Sequence, residues 1–303
     1  MTKWILATMV AASALAGGPL DALAAPPDGK GAVTMPARAL KDAAAAGQLK
    51  LNITYHGGPV LNKPAGANVY YIWYGNWAGD TATNILTAMM QNVSGSSWYR
   101  INTTYYGGKQ NHVFVPNLVT FVQATTDSYS QGTALSDAQI RQVVSDAITS
   151  GRLPKDANAV YFVLTSKDVT ATSGFCSQYC GWHDHATVAA SDIKYAFVGN
   201  AMQQCPSGCI APENQQASPN GNVGADGMAS VVMHELVEAI SDPDLNAWSD
   251  LIGQENADKC AWTFGTEQVA ANGSRWNVNF GTGQYLVQRN WRAAKPQGCL
   301  QGM

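Results

Sequence analysis

The stretch NVYYIWYG, residues 68–75, is an apolar, aromatic-rich run of the kind that reads as a buried strand. It has company at regular intervals. DTATNILTAMMQNV (80–93) offers Asp80 as an N-cap and places Ile85, Met89 and Val93 at helical spacing, while HVFVPNLVTFVQ reads as a strand broken by Pro116. SDAQIRQVVSDAITSG (136–151) has Ser136 as cap, Ile140, Val144 and Ile148 on one face and Gly151 as stop; AVYFVLT (159–165) and YAFVG (195–199) are further strands. Strands alternating with helices predict an α/β fold, a layered sheet covered by helices.

The N-terminus reads as an export signal: Lys3, an apolar segment from Trp4 to Ala16, and Ala22-Leu23-Ala24 as a small-x-small cleavage site. Residues 1–24 are therefore expected to be a signal peptide, 25–51, rich in Pro, Ala and Gly, a linker or flexible leader, and 52–303 one domain with a loop-rich C-terminal half. The signal is short and bacterial in style. No later apolar run approaches the roughly 18 residues of a membrane helix, so no membrane association is expected after cleavage, in a periplasm or outside the cell. With 18 basic against 21 acidic residues and no basic stripe, nucleic acid is not an expected partner.

All six cysteines, Cys176, Cys180, Cys205, Cys209, Cys260 and Cys299, fall in the C-terminal half, where export permits disulfides. By proximity, each C-x3-C pair is expected to close on itself and Cys260 to pair with Cys299. Six cysteines allow 15 pairings, and a zinc-ribbon use of the C-x3-C pairs is the weaker alternative.

The segment VVMHELVEAISDP (231–243) carries the chemistry. A helix from about Gly227 to Ser241, capped by Asp226 and stopped by Pro243, buries Val232, Leu236, Ala239 and Ile240. His234 and Glu238 then project side by side from the opposite face, the spacing at which two donors converge on one ion. Glu235 stands where a general base would take a proton from an activated water. A solvated helix face is the alternative. The following stretch, DPDLNAWSDLIGQENADKC, is dense in carboxylates for a chain only 13% charged. In zinc peptidases with a glutamate third ligand, that residue lies on a second helix about twenty residues on, with an acidic partner one turn later. Glu255 and Asp258, 21 and 24 residues beyond His234, fit those roles, with Asp242, Asp244 and Asp250 as rivals.

His183 and His185, in FCSQYCGWHDHATV (175–188), point to the same side of an extended segment and are candidates for the same cleft. His56 and His112 have no such context. Trp73, Tyr74 and Trp77 could present rings to sugars, though strand alternation favours the core. No Gly-x-Ser-x-Gly elbow, phosphate loop or dinucleotide fingerprint is present.

Five stretches together resemble the EXORDIUM, or phosphate-induced protein 1, family: YHGGPVL (55–61), IWYGNW (72–77), FCSQYCG (175–181), VGN with QCPSGC (198–209) and PNGNVGADGM (219–228). The resemblance spans about residues 52–299. It implies a secreted or wall-associated protein; plant relatives are linked to growth promotion and brassinosteroid response and have no established enzymatic activity. The export signal marks this chain as a microbial relative. The helix at His234, Glu235 and Glu238 also resembles that of zincin-type metallopeptidases, over some 25 residues.

The expectation drawn from these features is a secreted metal-dependent hydrolase, a peptidase, with zinc on His234, Glu238 and Glu255 or Asp258, and a peptide or protein as substrate. A His-Glu-Glu set makes a weaker Lewis acid than a His-His-Glu set and also suits calcium. The alternative is a non-enzymatic extracellular binding or signalling protein, with cell-wall glycan as a partner and structural calcium or no metal.

Overall fold

The sheet at the centre of the fold is assembled from the apolar runs. In the computed structural model, which describes residues 31–34 and 52–303, it contains β1 (Gly31–Thr34), β2 (Ala67–Tyr74), β3 (Val119–Asp127), β4 (Ala159–Thr165), β5 (Tyr179–Val188) and β6 (Ser191–Gly199). Their order is β1-β5-β6-β4-β2-β3; β6, β4, β2 and β3 run parallel, and β5 is antiparallel to both β6 and β1. Every residue of β4 is buried, as a strand covered on both faces requires. The predicted signal peptide lies outside the described residues, as does the leader apart from Gly31–Thr34, which pairs along β5.

Three helices complete the layers: α1 (Ala82–Gln91), α2 (Asp137–Thr149) and α3 (Val223–Ser241). Ser136 closes a full capping box with Gln139 on α2. Thr81, not Asp80, is the N-cap of α1, although the Asp80 carboxylate accepts the Ala82 N–H at 2.9 Å. Helix α3 lies on one face of the sheet against β5 and β6 and touches α1. On the other face Tyr195, which alternates away from His183 across the β5–β6 pair, senses Asp137 and Arg141 of α2.

Three sequence expectations are corrected. The loop-rich reading of the C-terminal half passed over a strand, because Tyr179–Val188 forms a ten-residue strand inside the sheet. The C-x3-C pairs do not close on themselves: the disulfides are Cys176–Cys205, Cys180–Cys209 and Cys260–Cys299. The start of β5 and the helical turn Pro206–Cys209 lie alongside each other, and their equal cysteine spacing matches the four residues as two rungs, each with Cα atoms 5.5 Å apart. Finally, α3 starts four residues before Gly227. Asn222 caps it by accepting the Ala225 N–H, while the Asp226 carboxylate, inside the first turn, accepts from the Asn220 backbone.

Beyond α3 the chain forms short two-stranded ribbons and loops. Among the described residues no helix is long and apolar enough to cross a membrane.

Candidate metal centre

Helix α3 has no solvent face. Every residue from Gly224 to Ser241 is buried, so His234, Glu235 and Glu238 are sealed inside rather than displayed on a wet surface. The helix can approach β5 this closely because Gly181 has no side chain: a Cβ there would stand 2.6 Å from Val231 Cγ1 and 3.1 Å from Glu235 Oε1. Two residues further along the same face of β5, His183 enters the same space.

Five donors converge. His234 Nε2 lies 3.0 Å from Glu238 Oε1 and 3.5 Å from Asp258 Oδ1, and His183 Nε2 lies 3.0 Å from Glu255 Oε2. Of these residues only Asp258 retains appreciable exposure, 14% of its side chain. Glu255 and Asp258 do not sit on a second helix as predicted; Asp258 opens a single 3-10 turn, Asp258–Cys260, and Glu255 lies in the loop just before it. That turn is held by the carboxylates themselves, with Glu255 N donating to Asp258 Oδ2 at 3.2 Å and Asp258 N to Glu238 Oε1 at 3.0 Å. Asn256 ties it to α3 by donating to Val237 O at 3.2 Å and Ser241 Oγ at 3.0 Å.

The tautomer of His234 follows from its neighbour. Gln288 Oε1 accepts the Trp262 N–H at 2.9 Å, so this atom is the carbonyl oxygen, and His234 Nδ1, 3.2 Å away, must donate to it. Nε2 is left to face two carboxylates. Glu238 Oε2, Glu255 Oε1 and His183 Nδ1 are buried with no hydrogen-bond partner among the described residues. Buried polar atoms without partners are costly, and a bound cation would satisfy several of them together. An imidazole fixed through its outer nitrogen with the inner one aimed at carboxylates is the usual arrangement of a metal-ligating histidine.

The electrostatics agree. Burial lowers His183 to about 4, so its ring is neutral, as a ligand must be. At His234 burial works against the imidazolium, but Glu238 and Asp258 outweigh it and hold the group well above the ordinary imidazole range. Burial, followed by the charges of Glu238, Asp242, Asp258 and Glu235, pushes Glu255 well above the usual carboxylate range. Too many carboxylates share this pocket for all to be ionised without a cation.

The remaining sequence candidates lie elsewhere. His185 stands at the mouth of the same sheet face, with Nδ1 2.9 Å from Asp192 Oδ1 and 3.8 Å from Asp244 Oδ1. Lys194 pairs with both of those aspartates and already supplies their positive charge. Asp242 accepts the Asn246 and Ala247 N–H groups, and Asp250 pairs with Lys259 at 2.7 Å, so the three rival aspartates are used elsewhere. Trp73 and Tyr74 are in the core, and Trp77 packs edge-on against Trp73. Gln288 and Tyr105 were not singled out from the sequence. The Tyr105 hydroxyl is raised by burial and then by the nearby Glu238 and Glu255.

The phosphate-induced protein 1 conserved region matches residues 53–291, nearly the whole described domain. The chain belongs to the EXORDIUM family. Protein EXORDIUM-like 5 of Arabidopsis thaliana is 32% identical over 80% of this chain and 75% of its own length. Protein EXORDIUM-like 3 of the same plant is 30% identical over 80% of each. Protein EXORDIUM itself is 28% identical over 68% of this chain and 70% of its own. No solved structure matches the chain. The EXORDIUM-family region thus contains α3, the Glu255–Asp258 turn and Gln288 together.

Proposed function

We propose that this EXORDIUM-family chain is an exported metal-dependent hydrolase of peptide bonds. The observation that carries the reading is the convergence of two imidazoles and three carboxylates in one buried space, with partnerless donor atoms on three of the five residues. Export is supported by the signal-like N-terminus and by three disulfides.

His234, Glu238 and Asp258 or Glu255 would hold the ion. A bound zinc supplies a Lewis acid and lowers the pKa of water. The protein residues have separate tasks. Gln288 fixes the His234 ring. Glu235, fully buried against Gly181 on the His183 side of β5, takes the proton of the attacking water. Assay of peptide cleavage by the wild type and by Glu235→Gln, with metal content measured on both, tests this. Lost turnover with metal retained is expected; equal turnover would sink the assignment of Glu235.

A second reading is favoured by the closure of the centre. Structural metal sites are closed, whereas catalytic ones keep an open position. In this reading a carboxylate-rich site holds calcium or zinc to brace the fold, and ligands bind elsewhere. A separate groove of about 680 Å³, lined by Tyr55, Tyr106, His112, Phe114 and Trp248, suits a glycan or peptide. Bound metal, a large loss of stability on its removal, and no cleavage of any peptide would select this reading.

A further inference from the structure

We infer that the centre binds two divalent cations bridged by Glu238. The inference rests on the metal reading of the same centre and specifies its nuclearity. The donors do not form one set. They form two, His234–Glu238–Asp258 and His183–Glu238–Glu255, each with its donor atoms within 4.8 Å of one another. Each set has one imidazole, one carboxylate of its own and a share in Glu238. Ligands at about 2.3–2.6 Å from an ion such as calcium lie within about 5.2 Å of each other, so each set fits inside one coordination sphere of that size.

The two oxygens of Glu238 are in different situations. Oε1 lies 3.0 Å from His234 Nε2 and accepts the Asp258 N–H, so it belongs to the first set. Oε2 is buried and has no partner among the described residues, and so is available to the second. On the second side His183 Nδ1 and Glu255 Oε1 are likewise buried without partners among the described residues, while on the first His234 Nε2 faces Glu238 Oε1 and Asp258 Oδ1 at 3.0 and 3.5 Å. A single ion would leave one side with its donors unsatisfied.

Charge also calls for a cation here. Among the described residues no Lys or Arg pairs with Glu238, Glu255 or Asp258. Buried carboxylates with no lysine or arginine beside them call for a cation. The nearby His185–Asp192–Asp244 group shows the contrast, because there Lys194 is the cation. A bridged pair is the arrangement that clamps both the attacking and the leaving oxygen or nitrogen in hydrolysis of an acyl compound.

The test is titration of chelator-stripped protein with Mn²⁺, followed by calorimetry and by electron paramagnetic resonance. Two equivalents and a spin-coupled signal are expected in the wild type. His183→Ala and His234→Ala should each retain one uncoupled ion, and Glu238→Gln should abolish the coupling, with folding of each checked by circular dichroism. One equivalent in the wild type, or two uncoupled ions, overturns the bridged pair while leaving a metal centre standing. No binding at all, repeated with Zn²⁺ and Ca²⁺, overturns both this inference and the metal reading on which it rests.

Discussion

His234 Nε2 and Glu238 Oε1 lie 3.0 Å apart, one helical turn from each other, with both side chains fully sealed from water. An ion pair in that setting loses hydration on both sides and is a poor source of stability by itself. Its position makes sense as part of a donor set that a cation completes.

Gln288 should prove a positioning residue. Gln288→Leu removes the acceptor that fixes the His234 ring, so metal affinity should fall by about 10- to 100-fold. Stoichiometry should be unchanged. Competition with a graded series of chelators measures this, and unaltered affinity would remove Gln288 from the account.

Metal binding should release protons. His234 is held above the usual imidazole range and Glu255 above the usual carboxylate range, so each keeps a proton that a cation must displace. Affinity should therefore weaken as pH falls from 8 to 5. Calorimetry in two buffers of different ionisation enthalpy counts the released protons; identical heats in both would contradict the assignment.

Asp242 makes stability depend on pH in the metal-free chain. Burial raises its folded-state value from 3.8 to about 6, even though it accepts backbone N–H groups. Because the folded value lies above the unfolded one, its contribution is present below pH 3.8 and is lost as pH rises through about 6. Asp242→Asn keeps an Oδ1 acceptor for Asn246 and Ala247. It should stabilise the chain by about 1–3 kcal/mol at pH 7.5 and by almost nothing at pH 3.5. Denaturant melts at the two pH values give the answer.

The Cys260–Cys299 disulfide closes the turn that carries Asp258 onto the C-terminal ribbon, across a separation of 39 residues. Replacing both by Ser should cost about 2–4 kcal/mol. It should also weaken metal binding, since Asp258 lies two residues from Cys260. Loss of stability with metal affinity intact would show that the turn is held by its carboxylates and Asn256 alone.

Much of the sheet was legible in the sequence because its central parallel strands β2 and β4 are nearly pure apolar runs: AVYFVLT at 159–165 matches its strand to the residue. Strand β5 was hidden for the opposite reason. Gly181, His183, Asp184 and His185 break the apolar pattern, and two of them do so because they face the centre or let α3 approach it. That His234, Glu238, Glu255 and Asp258 meet was readable from spacing. Their burial was not, since a polar stripe on a helix looks the same whether it faces water or a cation. Gln288 carried no signal: a lone glutamine in a loop-rich tail acquires its role only through the fold. The crossed cysteine pairing likewise depends on two loops meeting in space, which equal C-x3-C spacings do not reveal.

The most direct measurement is metal content by mass spectrometry on the mature protein, purified without chelator or affinity tag, beside a His234→Ala/Glu238→Ala double variant shown to be folded. The account predicts at least one zinc, calcium or other divalent ion per wild-type chain and its loss in the variant. A folded wild type with no bound metal, and no uptake when zinc, manganese or calcium is supplied, would contradict it.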